Sequence, residues 1–201
     1  MRAVLILITC LVIHLQGCAF TTYEVSVPVA IPRGMEGKIV DDGIDLTLLL
    51  DMHIWIQVRN HTSSTSLPRK NLGMLLWIKS KSENETFSFD PGPVVLKFGD
   101  GEEVRLSSYG GPELLRVNPR GVGPLCGWAT QRLPVRAPQG PVPFHPHPYS
   151  GTCFMLYFDI SAAPDRNFTL VLGEVKKAGE RVAIPPIEFQ KGSVQKFQTV
   201  I

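Results

Sequence analysis

Alternation of apolar and polar residues dominates this chain, and it predicts strands. In Tyr23-Glu24-Val25-Ser26-Val27-Pro28-Val29-Ala30-Ile31 the odd positions are apolar and the even ones mostly small or polar, the period-two signature of a half-buried strand. Pro28 has no N–H to give to a ladder, which places this strand at a sheet edge. His53-Ile54-Trp55-Ile56-Gln57-Val58-Arg59 sets Ile54, Ile56 and Val58 on one face. Leu72-Gly73-Met74-Leu75-Leu76-Trp77-Ile78-Lys79 is more continuously apolar, as expected of a central strand.

Val94–Phe98 and Glu103–Leu106 flank Gly99-Asp100-Gly101-Glu102, a hairpin signal. Cys153–Ile160 and Phe168–Leu172 are expected as paired strands. Val182-Ala183-Ile184 and Ile187-Glu188-Phe189 are expected to close the sheet, with Pro185-Pro186 interrupting the ladder between them. Helix signals are confined to a single turn near Pro112-Glu113-Leu114-Leu115. The 17 prolines and 18 glycines are heavy punctuation that disfavours a helical bundle. Many short strands between turn clusters imply an all-β fold, a two-sheet antiparallel β-sandwich. The arrangement resembles the immunoglobulin-like domains of small exported bacterial proteins, a likeness that brings no catalytic motif with it.

Composition then narrows the class. The 201 residues are 44% hydrophobic and 19% charged, with a formal net charge of +2. That balance is globular and gives no electrostatic case for nucleic acid as a partner.

The first residues carry an address. Met1 and Arg2 form a short positive region, and the apolar run from Ala3 to Ile13 follows. This is too short to cross a bilayer, which takes about 20 apolar residues, but it has the proportions of a secretory signal. Leu15-Gln16-Gly17-Cys18 resembles the lipobox of bacterial lipoproteins. That resemblance implies removal of a signal peptide at 1–17, Cys10 included, and acylation of Cys18 by a diacylglyceryl group and an amide-linked chain such as palmitate. The same likeness, with Ala19 rather than Asp after the cysteine, implies sorting to the outer membrane of a Gram-negative bacterium, facing the periplasm. The expected layout is then a lipidated N-terminus and short tether at 18–22, a sandwich domain at 23–190 and a C-terminal tail at 191–201.

Residues 131–150 contain six prolines and favour extended, polyproline-like geometry. The stretch lies between Cys126 and Cys153. An exported protein meets an oxidising compartment, so these two cysteines are expected to pair, closing 26 intervening residues. Trp128, Phe144, His145, His147 and Tyr149 belong to or adjoin this loop. Apolar side chains with polar tips suit a protein partner in the cell envelope. The alternative is that Phe144 and Tyr149 pack the loop onto the sheet.

Catalytic chemistry has little to stand on. His145-Pro146-His147 is the one paired-histidine site, and on an extended chain its imidazoles project to opposite sides. A metal-dependent hydrolase using His145 and His147, with His53 or Met155 as further ligands, is the enzyme alternative. No Gly-x-Ser-x-Gly elbow is present. Gly121-Val122-Gly123-Pro124-Leu125-Cys126-Gly127 lacks the Lys-Ser/Thr pair of a phosphate loop. Asp41-Asp42-Gly43-Ile44-Asp45 does not match calcium-loop spacing and is expected as a solvated turn. Asp90, Asp100, Glu102 and Glu103 are expected at hairpin ends, where no glycosidase pair can be picked out. Trp55 is expected under the second sheet, or else exposed for ligand stacking. The expectation is therefore a non-enzymatic protein with no catalytic, metal or cofactor site. Asn60, Asn84 and Asn167 each begin an Asn-x-Thr sequon. Three sequons exceed chance and favour a further alternative, a secreted eukaryotic glycosylated domain with an adhesion-like role.

Overall fold

The computed structural model describes residues 18–40, 43–49, 51–59, 72–80, 85–114, 135–136, 140–146, 151–160 and 165–199. Over these residues the chain is all-β. The strands in chain order are β1 (Cys18–Pro28), β2 (Glu36–Val40), β3 (Gly43–Leu48), β4 (Met52–Arg59), β5 (Leu72–Ser80), β6 (Phe87–Phe89), β7 (Val95–Phe98) and β8 (Glu103–Leu114). They continue with β9 (Val135–Arg136), β10 (Val142–Phe144), β11 (Thr152–Phe158), β12 (Phe168–Val171), β13 (Glu174–Lys177), β14 (Glu180–Ala183) and β15 (Ile187–Thr199). Two antiparallel sheets result. The larger has 11 strands ordered β1-β15-β12-β7-β8-β11-β5-β4-β3-β2 with β9 paired beside β8, and the smaller has four ordered β10-β6-β13-β14.

Alternation explains the sandwich. Ile44, Leu46 and Leu48 of β3, Ile54, Ile56 and Val58 of β4, Met74, Leu76 and Ile78 of β5, and Phe154, Leu156 and Phe158 of β11 share one buried cluster. Phe87 and Phe89 of the smaller sheet join it, as do Leu96, Phe168, Leu170, Ile187 and Phe189 from the other end of the larger sheet. Each such side chain stabilises the fold by about 1.5–3 kcal/mol relative to an exposed one. Phe98, Phe168 and Phe189 form a run of rings at that end, with Phe168 stacked on Phe189 at a centroid distance of 5.2 Å.

The strand β8 serves both halves of the larger sheet. Its residues Glu103–Arg105 pair with β7, and Leu106–Leu114 pair with β11. The register against β11 shifts between Tyr157 and Phe158 and again between Cys153 and Met155, irregularities that bend a strand and raise its twist. Gly111 stands at the second shift with φ +112°, a conformation that glycine alone adopts freely.

Several expectations are met. Pro28 ends β1, the edge strand of the larger sheet; β5 lies inside that sheet between β11 and β4; and β7 and β8 form the anticipated hairpin. Others are corrected. The segment 153–160 does not pair with 168–172: β11 runs between β8 and β5, and β12 between β7 and β15. All seven residues of β11 are buried, so it takes an interior position with partners distant in sequence. Pro185-Pro186 does separate β14 from β15, but the two strands belong to different sheets. Where a helical turn was expected, Glu113 and Leu114 continue the ladder opposite Cys153 and Thr152. Gly43, Ile44 and Asp45 open β3 rather than forming a turn, with Asp45 opposite Trp55. Asp41 and Asp42 lie outside the described residues.

Candidate functional site

The expected anchor is built into a sheet edge. Cys18 is the first residue of β1 and stands opposite Thr199, and the ladder runs without a shift to Pro28 opposite Phe189. The stretch 18–22, expected as a tether, is therefore strand, and most of the expected tail at 191–201 is the second half of β15. Backbone hydrogen bonding to each other explains both. The signal segment 1–17 lies outside the described residues.

Cys153 lies on β11 with 1% exposure. The strand alternates there: Phe154, Leu156 and Phe158 enter the main core, while Cys153, Met155 and Tyr157 form a second cluster with Leu75, against which Trp77 packs. Trp77 is directly opposite Cys153 on one side and Trp55 on the other. Trp55 thus stands on the face opposite Ile54 and Ile56, so the smaller sheet does not cover it, contrary to expectation. It is half-buried, and its indole Nε1 is buried without a hydrogen-bond partner among the described residues. Cys126, Trp128, His147 and Tyr149 lie outside the described residues.

Two loop residues are placed, and they differ. Phe144 ends β10, where Val142 pairs with Phe89 and Phe144 with Phe87. That pairing puts its ring 5.6 Å from Phe87 and edge-on to Phe154 at 5.3 Å. With 4% exposure it is a core residue, the packing alternative of the two considered for it, and it offers no surface to a partner. His145 is exposed. Its carbonyl accepts a hydrogen bond from Thr152 Oγ1 at 3.3 Å, which ties His145 to β11. Among the described residues, no three His, Cys, Asp or Glu side chains gather into a metal-binding group. His53 is on β4, with Nδ1 3.5 Å from Thr47 Oγ1.

One charged cluster was not foreseen. Arg166, just ahead of β12, donates to Asp100 Oδ2 at 2.6 Å and to Glu102 Oε2, and its guanidinium lies 3.9 Å over the Phe98 ring. The bond to Glu102 is the main cause that raises its pKa above the ordinary arginine value. Beside it, Lys191 bonds Asp165 at 3.0 Å and approaches Glu24 at 3.3 Å. These two carboxylates, Asp165 first, hold the ammonium pKa above its ordinary range. Lys97 pairs with Glu103 at 2.8 Å across the β7–β8 hairpin and lowers the Glu103 pKa. All are surface pairs that tie turns and strand ends together, each contributing little alone. The sequence carries no signal for the Arg166 pairs, because Arg166 is 66 residues from Asp100 and 64 from Glu102.

Next to this cluster is an open cleft of about 210 Å³ whose wall includes Lys97, Gly99, Asn167, Thr169 and Glu188. Asn167, the acceptor position of one sequon, is exposed at its edge. Asn60 and Asn84 lie outside the described residues. No family model matches the chain, and no curated protein or solved structure matches it.

Proposed function

We propose that this protein is a lipid-anchored, non-enzymatic envelope protein, held through Cys18 on the periplasm-facing side of a Gram-negative outer membrane, whose β-sandwich binds another periplasmic or outer-membrane component. The feature that carries this reading is the Leu15-Gln16-Gly17-Cys18 lipobox itself, whose cysteine, the acyl acceptor, lies in β1 at a sheet edge. More than one acyl chain on that residue gives stable anchoring, where a single chain is marginal.

The second part of the proposal is a Cys126–Cys153 bridge. It is supported by the place of Cys153, buried on β11 on the face away from the main core, in an oxidising compartment where exported thiols pair. With Cys10 lost and Cys18 acylated, Cys126 is its partner. The bridge holds the segment that carries Trp128, His145, His147 and Tyr149, and we assign partner contact to these residues, Phe144 being taken by the core. Loops on a rigid scaffold are where binding residues concentrate.

The test is export of the full chain in a Gram-negative host, followed by fractionation. Retention in the membrane pellet through high salt, with release of Cys18→Ser to the soluble periplasm, is the expected result. Equal partition of the two proteins contradicts the anchor. The glycosylated secreted reading has one observation in its favour, the exposed Asn167 ahead of β12. A mass decrease on N-glycosidase treatment of natively expressed protein would establish it.

A further inference from the structure

We propose that the Cys18 end of the β1–β15 ladder seats in the headgroup layer of the bilayer, so that the domain is mounted on a paired stem instead of hanging from a flexible tether. The proposal rests on the anchoring assigned to Cys18 and adds a second membrane contact to it. The bilayer is the surface this end of the ladder meets, because it is continuous with Cys18, the residue proposed to carry the acyl chains.

Three features of the ladder support this. First, β15 pairs with β12 only through Ile187–Phe189, so from Gln190 to Thr199 its one partner among the described residues is β1. At about 3.4 Å per residue this two-stranded ribbon is roughly 30 Å long. Second, no unpaired residue separates Cys18 from the ladder, so acyl chains at Cys18 hold the last rungs at the membrane surface. Phe20 opposite Phe197 is two rungs in from Cys18 opposite Thr199, about 7 Å along the ribbon. That is within the depth of about 5–10 Å to which interfacial segments bury, where aromatic residues are enriched. Third, the composition of this end suits an anionic surface. The six rungs from Cys18–Thr199 to Tyr23–Val194 contain no acidic residue, and their one charge is Lys196, opposite Thr21. The first carboxylate is Glu24, opposite Ser193. Basic residues next to an anchor add attraction to anionic lipid.

The experiment uses the full chain, exported and acylated in a Gram-negative host and reconstituted in phosphatidylethanolamine–phosphatidylglycerol vesicles with brominated acyl chains. Phe197→Trp places a reporter near the ribbon end and Ser193→Trp places one at the Glu24 rung, each read against the wild-type background. The expected result is several-fold stronger quenching, with a blue-shifted emission, for the indole introduced by Phe197→Trp. Equal quenching of the two reporters overturns the proposal. Intact mass of the same sample reports acylation separately. An acylated chain with an unquenched reporter overturns the ribbon contact alone, and an unacylated chain overturns the anchor on which it rests.

Discussion

Phe144 and His145 are adjacent in a proline-rich stretch, yet they have opposite roles. The Phe144 ring fills space between Phe87 and Phe154, so Phe144→Ala is expected to cost about 3–5 kcal/mol. His145→Ala, at an exposed site, is expected to stay within about 0.5 kcal/mol. Chemical denaturation of the two variants checks this, and a neutral Phe144→Ala would contradict the packing described. The same scale governs Glu103. Its folded pKa lies below the ordinary 4.5, chiefly through the Lys97 hydrogen bond. A lowered carboxyl pKa adds stability above the ordinary value and loses it as pH falls through the folded value. The contribution is small because the pair is solvent-exposed. Titration of the Glu103 carboxyl by NMR is expected to move up towards 4.5 in Lys97→Met. Arg105 also lowers it, but desolvation raises it by more, so no depression is expected to remain.

Among the elements, β8 is restricted at one position by both its backbone angle and its neighbour. At Gly111 a Cβ would lie 2.5 Å from the Cys153 carbonyl oxygen, at a positive φ. Gly111→Ala is therefore expected to destabilise by at least about 1–3 kcal/mol. Gly99→Ala, with open space around it, should change stability by no more than about 1 kcal/mol. Thermal melts of the two variants decide the matter, and equal Tm values would contradict the bulge geometry. The elements also show what a sequence discloses. β4 was legible because Ile54, Ile56 and Val58 alternate strictly, and the β1 edge because Pro28 cannot donate. β2 was not, since all five of its residues are exposed and no apolar period marks it. β6 has only three residues, too few to establish a period, and aspartates hid the start of β3. Pairing was the least legible feature: β11 and β12 are neighbours in sequence, but their partners come from far along the chain. At the site, the proposal for Cys18 rests on a local motif, Leu15-Gln16-Gly17-Cys18. Phe144 is open to either reading in the sequence because the prolines around it leave no apolar period, and the Arg166 cluster depends on contacts made only by folding.

At the scale of the molecule, two sheets enclose one main core, and the proposed bridge adds a covalent tie on the far face of β11. Closing 26 intervening residues is worth roughly 3–4 kcal/mol by loop entropy. Reduction should thus lower wild-type stability by that amount and leave Cys126→Ser unchanged. A wild-type protein indifferent to reductant would contradict the bridge.

The proposed anchor is tested most directly by mass spectrometry of the N-terminal peptide from membranes of a Gram-negative host, beside Cys18→Ser. A peptide beginning at a tri-acylated Cys18, absent from the variant together with membrane retention, is the expected result. An unmodified Cys18, or a chain that still begins at Met1, would contradict the anchor and move the protein to the secreted, glycosylated class.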